Sequence, residues 1–396
     1  MKKIVIVDPI FRASRLIYSH MVAQEAQEEK MQIHIITRTN ASTEQYQELF
    51  REIDHTLYEV VEVPLDFWWG VISDEGIHAI AEQLLALANT LKFDLLYFAG
   101  GHEIFPQIVD QLILERYTVL RDKSIVMVDY EADFLLPIQH KINWKNPRQS
   151  LQKRSALKKI HTAKKQKYNK FFRLFPHTSI GILDERLAEV KTNKHFFYLP
   201  DPSPDVKWNE RSVASYNEPI KVMIVGLQTN RKGFDEIIKL LDQYEKHLSS
   251  ISLHFVGRLS DDTEQFRSQL TNSAILKWDE GYFSEEEIRN YYQQCDYILM
   301  PYSTSFHGSS GVMAYATAFG KPMVTTSHGC IGYRNKKYAM GFYYDYGNIK
   351  KLYKILSNLP DRQSKIYQNM QNGCKYFSHE HSTIQHKKII FKKLKS

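Results

Sequence analysis

Along the first half of the chain, short apolar runs alternate with longer stretches whose apolar positions recur at the helical period, the pattern of β–α–β units around a parallel sheet. Strands are expected at Lys3–Val7, Gln32–Thr37, Tyr58–Val63, Asp94–Ala99 and Ser124–Asp129, with helices over Gly76–Thr90 and Ile104–Tyr117. Two further short runs, Ser179–Leu183 and Phe196–Leu199, close this half. Then Leu199-Pro200-Asp201-Pro202-Ser203-Pro204-Asp205 places three prolines within five residues. Proline fixes φ and lacks an amide donor, so the segment is no element interior and reads as a hinge.

The second half repeats the pattern, with strands expected at Ile220–Val225, Ser252–Val256, Tyr297–Met300 and Met323–Thr326 and helices between them. One helix start is well marked: Ser284-Glu285-Glu286-Glu287 is a capping box, and the helix after it is expected to bury Ile288, Tyr291 and Tyr292. The fold class is α/β, with two doubly wound domains at 1–200 and 206–377 and a tail of about 378–396 expected to pack back on the first. Ligands of such sheets sit at strand carboxyl ends, so the chemistry is expected in a cleft between the domains.

A length of 396 residues, 43% hydrophobic and 24% charged, suits two such folded domains and excludes a disordered chain. The formal charge of +7 favours an anionic partner without choosing among nucleotide, lipid and nucleic acid. Cys295, Cys330 and Cys374 are odd in number and widely spaced, so neither a disulfide framework nor a zinc site is indicated. No apolar run is long enough to span a membrane, and Asp8 and Pro9 interrupt the one N-terminal stretch that could imitate a signal peptide. A cytoplasmic protein is expected. No Asp-x-Asp pair or histidine cluster points to a metal.

Two loops carry the sharpest chemistry. In Val225-Gly226-Leu227-Gln228-Thr229-Asn230-Arg231-Lys232-Gly233-Phe234 an apolar strand runs through a polar loop into cations at the head of a helix, a ready anion site. Taken alone it is equally a solvated turn. In Met300-Pro301-Tyr302-Ser303-Thr304-Ser305-Phe306-His307-Gly308-Ser309-Ser310-Gly311, either Ser309 or Ser310 is a candidate N-cap of the apolar helix that follows. Its glycines would let backbone amides approach a phosphate or sugar oxygen, while a plain strand-to-helix turn is the simpler alternative. Gly320-Lys321-Pro322 should end that helix.

Together the loops resemble the C-terminal domain of family 4 retaining glycosyltransferases, which have the GT-B fold of two Rossmann-like domains. Gly226 and Lys232-Gly233 fall on that family's first motif, and Pro301, Gly308, Ala316, Ala318, Gly320, Pro322 and Val324 on its second. Val256-Gly257 and Gly281-Tyr282-Phe283-Ser284 also fit, and the likeness covers roughly residues 220–330. The resemblance implies that Lys232, with Arg231, neutralises the diphosphate of a nucleotide sugar. The amides of Gly308, Ser309, Ser310 and Gly311 would contact phosphates or the transferred sugar, and Gly281-Tyr282 would border the base. It also implies no metal and no cofactor beyond the donor substrate. The chain departs from the family at three places: its first arginine is Leu227, and its two glutamates, which hold sugar and ribose hydroxyls, fall on His307 and Tyr315. His307 is therefore a candidate for donor contact, and Tyr315, at the second glutamate's place, is counted among the donor-binding residues.

In the first half, loops at expected strand ends carry Asp8-Pro9-Ile10-Phe11-Arg12, Gly100-Gly101-His102-Glu103 and Asp129-Tyr130-Glu131, from which His102 and Asp129 are the acceptor-side catalytic candidates. Turn residues of this kind are also ordinary structure. From Lys141 to Arg173 there are twelve Lys and Arg and no acid, interleaved with Trp144, Leu151, Leu157, Ile160, Tyr168, Phe171 and Phe172; Lys387–Lys395 repeats the theme. Residues 141–173 and 387–395 thus read as a surface for an anionic membrane or as solvated faces, and no nucleic-acid module is recognisable. The expectation is sugar transfer to a glycan or lipid-linked acceptor at the inner membrane face, as in bacterial surface polysaccharide assembly. The rivals are a nucleotide-sugar epimerase and a non-catalytic binding partner.

Overall fold

The computed structural model describes residues 2–8, 13–38, 53–54, 56–63, 67–68, 71–72, 74–99, 110–111, 118–129, 133–136, 147–190, 193–206 and 219–396. Two compact units emerge: Met1–Leu199 together with Ile384–Ser396, and Pro200–Thr383.

In the first unit, strands β1 (Lys3–Val7), β2 (Gln32–Arg38), β3 (Tyr58–Val63), β6 (Leu95–Phe98), β7 (Ser124–Asp129), β8 (Thr178–Ile182) and β9 (Phe196–Tyr198) form one sheet in the order β3-β2-β1-β6-β7-β8-β9. Every pairing in it is parallel. A two-stranded antiparallel pair, β4 (Phe67–Trp68) and β5 (Val71–Ile72), stands apart. β1 is continuously apolar because both faces are covered. Val5 and Val7 pack with α2 (Asp74–Thr90), while Ile4 and Ile6 pack with α1 (Ala13–Glu28) and the last helix, α11 (Thr383–Leu394). The tail is thus a packing helix: Ile390, Phe391 and Leu394 are core residues, and Lys387 and Lys395 pair with Glu25 and Glu29 of α1. Of the expected helix over Ile104–Tyr117, only Asp110 and Gln111 are among the described residues, and both are helical.

The basic stretch forms α3 (Pro147–Leu174), of 28 residues. Its C-terminal part is core, with Tyr168, Phe171 and Phe172 buried, whereas Leu151 and Ile160 are both 53% exposed. Trp144 lies outside the described residues.

The second unit holds β10 (Ile220–Val225), β11 (Ile251–Gly257), β12 (Leu276–Glu280), β13 (Tyr297–Met300), β14 (Met323–Thr326) and β15 (Gly341–Tyr344), in the order β12-β11-β10-β13-β14-β15 and all parallel. The two strands absent from the sequence reading, β12 and β15, are the edges. In Leu276-Lys277-Trp278-Asp279-Glu280 only Leu276 is buried, because an edge strand keeps polar residues toward water. The helices are α4 (Phe234–Tyr244), α5 (Arg267–Thr271), α6 (Glu285–Gln294), α7 (Gly311–Ala318), α8 (Gly329–Lys337), α9 (Ile349–Leu356) and α10 (Lys365–Glu380). The capping box forms: Ser284 Oγ accepts from the Glu287 amide at 3.3 Å, and the Glu287 carboxylate accepts from the Ser284 amide at 2.7 Å. At the end of α7, Gly320 takes φ +55, the left-handed turn expected of it.

The proline segment is irregular, as its composition requires, but it is not a free linker. The Ser203 amide donates to the His381 carbonyl at 2.7 Å, the buried Asp201 and Arg334 side chains lie 3.8 Å apart, and Thr383 donates to Asp205 at 2.7 Å. Residues 200–205 are therefore docked on the second unit.

Candidate functional site

Numbering the strands of the second unit from β10 gives the order 3-2-1-4-5-6, in which the winding reverses between β10 and β13. The loops leaving their carboxyl ends diverge there, and they are the two loops that the sequence singles out. At the end of β10, Gly226 adopts φ +93, and a Cβ on it would lie 3.3 Å from the Lys232 ammonium. The Thr229 hydroxyl accepts from the Lys232 amide at 3.1 Å, and Gly233, at φ +71, turns the chain into α4. A Cβ on Gly233 would stand 1.9 Å from the Pro301 carbonyl oxygen, so the two loops meet in backbone contact. Ser303 ties them further, donating its amide at 3.0 Å and its hydroxyl at 2.9 Å to the Arg231 carbonyl.

Lys232 lies partly buried, with its ammonium 5.9 Å from the Tyr302 ring centre, and the Arg231 guanidinium lies 4.9 Å from the Phe306 ring centre. Burial, and then the like charge of Arg231, push the Lys232 amine down to about 8. A desolvated cation beside a second cation is poorly satisfied until an anion arrives. Burial pushes the Tyr302 phenol up to about 12, and its hydroxyl lies 3.2 Å from that of Ser310.

Ser310 takes the N-cap position of α7, but its hydroxyl engages Tyr302 instead of capping the helix amides. Beyond it, a Cβ on Gly311 would meet nothing within 4 Å. Gly311 is exposed at the head of α7, where the Met313 and Ala314 amides donate to the Ser310 carbonyl at 3.0 and 3.2 Å; the first amides of a helix in general favour an anion. Gly308 is buried and Ser309 half-buried in the same turn. His307 is exposed, its carbonyl accepting the Cys330 amide at 3.0 Å. His328, which the sequence reading missed, braces the loop through Nε2, 2.6 Å from the Ser303 carbonyl.

Gly281 and Tyr282 follow β12. Nothing requires glycine at 281, since a Cβ there would make an ordinary 3.6 Å contact with Phe283. Tyr282 is 87% exposed, with the Arg258 guanidinium 4.5 Å from its ring centre. Arg258 comes next to Gly257, where a Cβ would lie 2.3 Å from the Gly226 carbonyl, so this aromatic–guanidinium face adjoins the first loop. Arg258 also escaped the sequence reading, although a cation at a strand's carboxyl end was the available signal. Tyr315 stacks on Tyr292 and donates its phenol to both oxygens of Glu285, at 2.7 and 2.9 Å.

The first unit's candidates are not assembled to the same extent. His102, with Gly100, Gly101 and Glu103, lies outside the described residues, and Asp129 is described only as the backbone end of β7. Asp8, at the end of β1, is buried and accepts from the Ser19 hydroxyl at 2.5 Å. Among the described residues no group of His, Cys, Asp and Glu could hold a metal ion. All three cysteines are buried and none is in a disulfide.

Two parallel Rossmann-like sheets define the class: the chain has the GT-B fold of glycosyltransferases. More particularly, residues 206–374, which lie within the second unit, match the model of the family described as glycosyl transferases group 1. The solved structures of similar fold include Anabaena HepE in complex with UDP-glucose (12% identity, 100% of each chain, TM-score 0.65). They also include sucrose-phosphate synthase from Thermosynechococcus elongatus (13%, 99% of each chain, 0.66). A third is a putative UDP-N-acetylglucosamine 2-epimerase from Listeria monocytogenes (11%, 100% of this chain and 96% of that one, 0.60). No curated protein matches the chain.

Proposed function

We propose that the protein transfers a sugar from a nucleotide diphosphate-sugar to a glycan or lipid-linked glycan, with retention and without a metal, in bacterial surface polysaccharide assembly. The observation that carries this reading is the partly buried Lys232 ammonium beside Arg231, linked through the Tyr302 ring to Ser310 at the amino end of α7. A cation and a helix amino end are both positive features that a diphosphate would engage. As the bond to the sugar breaks, charge grows on the departing diphosphate, and preorganised positive groups stabilise it without reorganising. Arg231 is the second cation, His307 meets the sugar, Tyr282 borders the base, and His102 and Asp129 serve the acceptor side.

A mixed panel of UDP-, GDP-, ADP- and dTDP-sugars, incubated with glycan acceptors in EDTA, tests this directly. The expected outcome is an undiminished transfer product that keeps the donor's anomeric configuration. Transfer that vanishes in EDTA and returns with magnesium would contradict the metal-free mechanism, and an epimerised donor would favour the epimerase. A panel left wholly unreacted but bound would favour a binding partner, the reading that His307 and Tyr315 in place of the family's two glutamates support.

The acceptor side is peripheral to the inner membrane face in this reading, held there by the amino-terminal part of α3. No helix among the described residues is long and apolar enough to cross a membrane. Lys153, Arg154, Lys158, Lys159 and Lys165 are exposed there, around the exposed Leu151 and Ile160. Lys164 is half-buried, 5.6 Å from the Phe134 ring centre. The tail adds less, since Lys387 and Lys395 already pair with α1. Each cation near an anionic surface contributes about 1 kcal/mol, screened over a Debye length of about 10 Å at 0.1 M salt. Sedimentation with vesicles of anionic lipid should therefore show binding that falls steeply with salt and is lost when these six residues become glutamine. Absence of binding at low salt would mean a soluble acceptor.

A further inference from the structure

Three chemically different groups succeed one another along the carboxyl edge of the second unit's sheet. At one end is the Lys232 pocket. At the other is the exposed Tyr282 ring with Arg258 against it. Glu285 is three residues beyond Tyr282 and the first residue of α6. Its side chain is 51% exposed, yet it is held in place: the Tyr315 phenol contacts both oxygens, and Arg289 Nε donates to one of them at 3.1 Å. Tyr315 lies about 7 Å along α7 from Ser310, taking the usual rise per residue. Ser310 in turn touches Tyr302, over which the Lys232 ammonium lies.

A cation, a fixed carboxylate and an aromatic face are together the complement of a diphosphate, a vicinal diol and a planar base. Burial, and next the charge of Glu285, push the Tyr315 phenol above its ordinary range, so it stays protonated and donates. It has one proton to give and Arg289 Nε one more, against roughly four acceptor positions on a carboxylate. Acceptor capacity is left over, on a group already immobilised by the protein, which lowers the ordering cost of binding a ligand hydroxyl. We propose that Glu285, positioned by Tyr315, accepts the hydrogen bonds of the ribose hydroxyls of the donor nucleotide. A carboxylate on α6 thereby replaces one that the chain does not carry at residue 315. This rests on the nucleotide-sugar reading above.

The test is calorimetric titration of UDP, GDP and ADP, and of their 2′,3′-dideoxy counterparts, into the wild type, Glu285→Gln, Tyr315→Phe and Lys232→Ala. The wild type should prefer the ribose form of its nucleotide by about 10- to 100-fold, the range for hydrogen bonds to a charged group. Glu285→Gln should lose most of that preference while binding the dideoxy form as the wild type does. Tyr315→Phe, which frees the carboxylate without removing it, should shift the same way by less. If Glu285 only ties α6 to α7, both forms weaken alike in Glu285→Gln, or neither does, and the proposal falls. Lys232→Ala separates the two levels: should it still weaken the diphosphate by about 10- to 100-fold, the nucleotide-sugar reading survives that failure. A wild type that binds none of the six overturns both.

Discussion

Replacing Gly233 with alanine should cost about 2–4 kcal/mol of unfolding free energy and remove nucleotide binding with it, placing it among the large single-site effects that have a named cause. Two causes act together. At φ +71 a side chain strains the backbone, and the added Cβ would fall 1.9 Å from the Pro301 carbonyl oxygen and 3.3 Å from the Ser303 amide nitrogen. Both are backbone atoms, so no rotamer change can relieve the clash. Relief has to separate the Lys232 loop from the 301–310 loop, which breaks the Ser303–Arg231 bonds and dissolves the pocket. Gly311→Ala is the contrast, since its Cβ would meet nothing. Its effect on stability should stay within about 0.5 kcal/mol. Urea unfolding of both variants checks this; equal midpoints would mean that the two loops are not in backbone contact.

How much of this was legible in the sequence differs between the parts. Strands buried on both faces, such as Lys3–Val7 and Ile220–Val225, announce themselves as unbroken apolar runs, and their limits agree with the structure. Edge strands do not: Leu276–Glu280 and Gly341–Tyr344 pair on one side only, the first being mostly polar and the second only four residues long. The proline segment shows where regular structure stops, yet its anchoring depends on Arg334, His381 and Thr383, remote in sequence. The same holds for the site. Lys232 and the glycine-serine turn are visible because each combines a strand end, a loop and a helix start. Their supports Tyr302, His328, Arg258 and Glu285 are not, since a brace is defined by what it touches. Composition also misread the basic stretch in part, because Tyr168, Phe171 and Phe172 serve the core and not a surface.

The central claim is that Lys232 is the seat of a nucleoside diphosphate, and its pH dependence follows from the pocket. The free amine titrates at about 8, below its ordinary 10.5, because burial and Arg231 disfavour the charge. A bound diphosphate favours the charged amine, so binding takes up a proton once the free pocket has lost it. Affinity should therefore be flat up to about pH 7.5 and fall by about 10- to 30-fold by pH 9.5. Stability of the unliganded protein runs the other way. Between about 8 and 10.5 the unfolded chain holds a proton that the folded one has released, so this group's contribution rises with pH across that window. The most direct measurement is calorimetric titration of the uracil, guanine and adenine nucleosides, monophosphates and diphosphates into the wild type and Lys232→Ala. For one base, affinity should climb with each phosphate and fall above pH 8, and Lys232→Ala should weaken the diphosphate by about 10- to 100-fold while leaving the nucleoside unchanged. Equal weakening of nucleoside and diphosphate, or a diphosphate affinity indifferent to Lys232, would contradict the account.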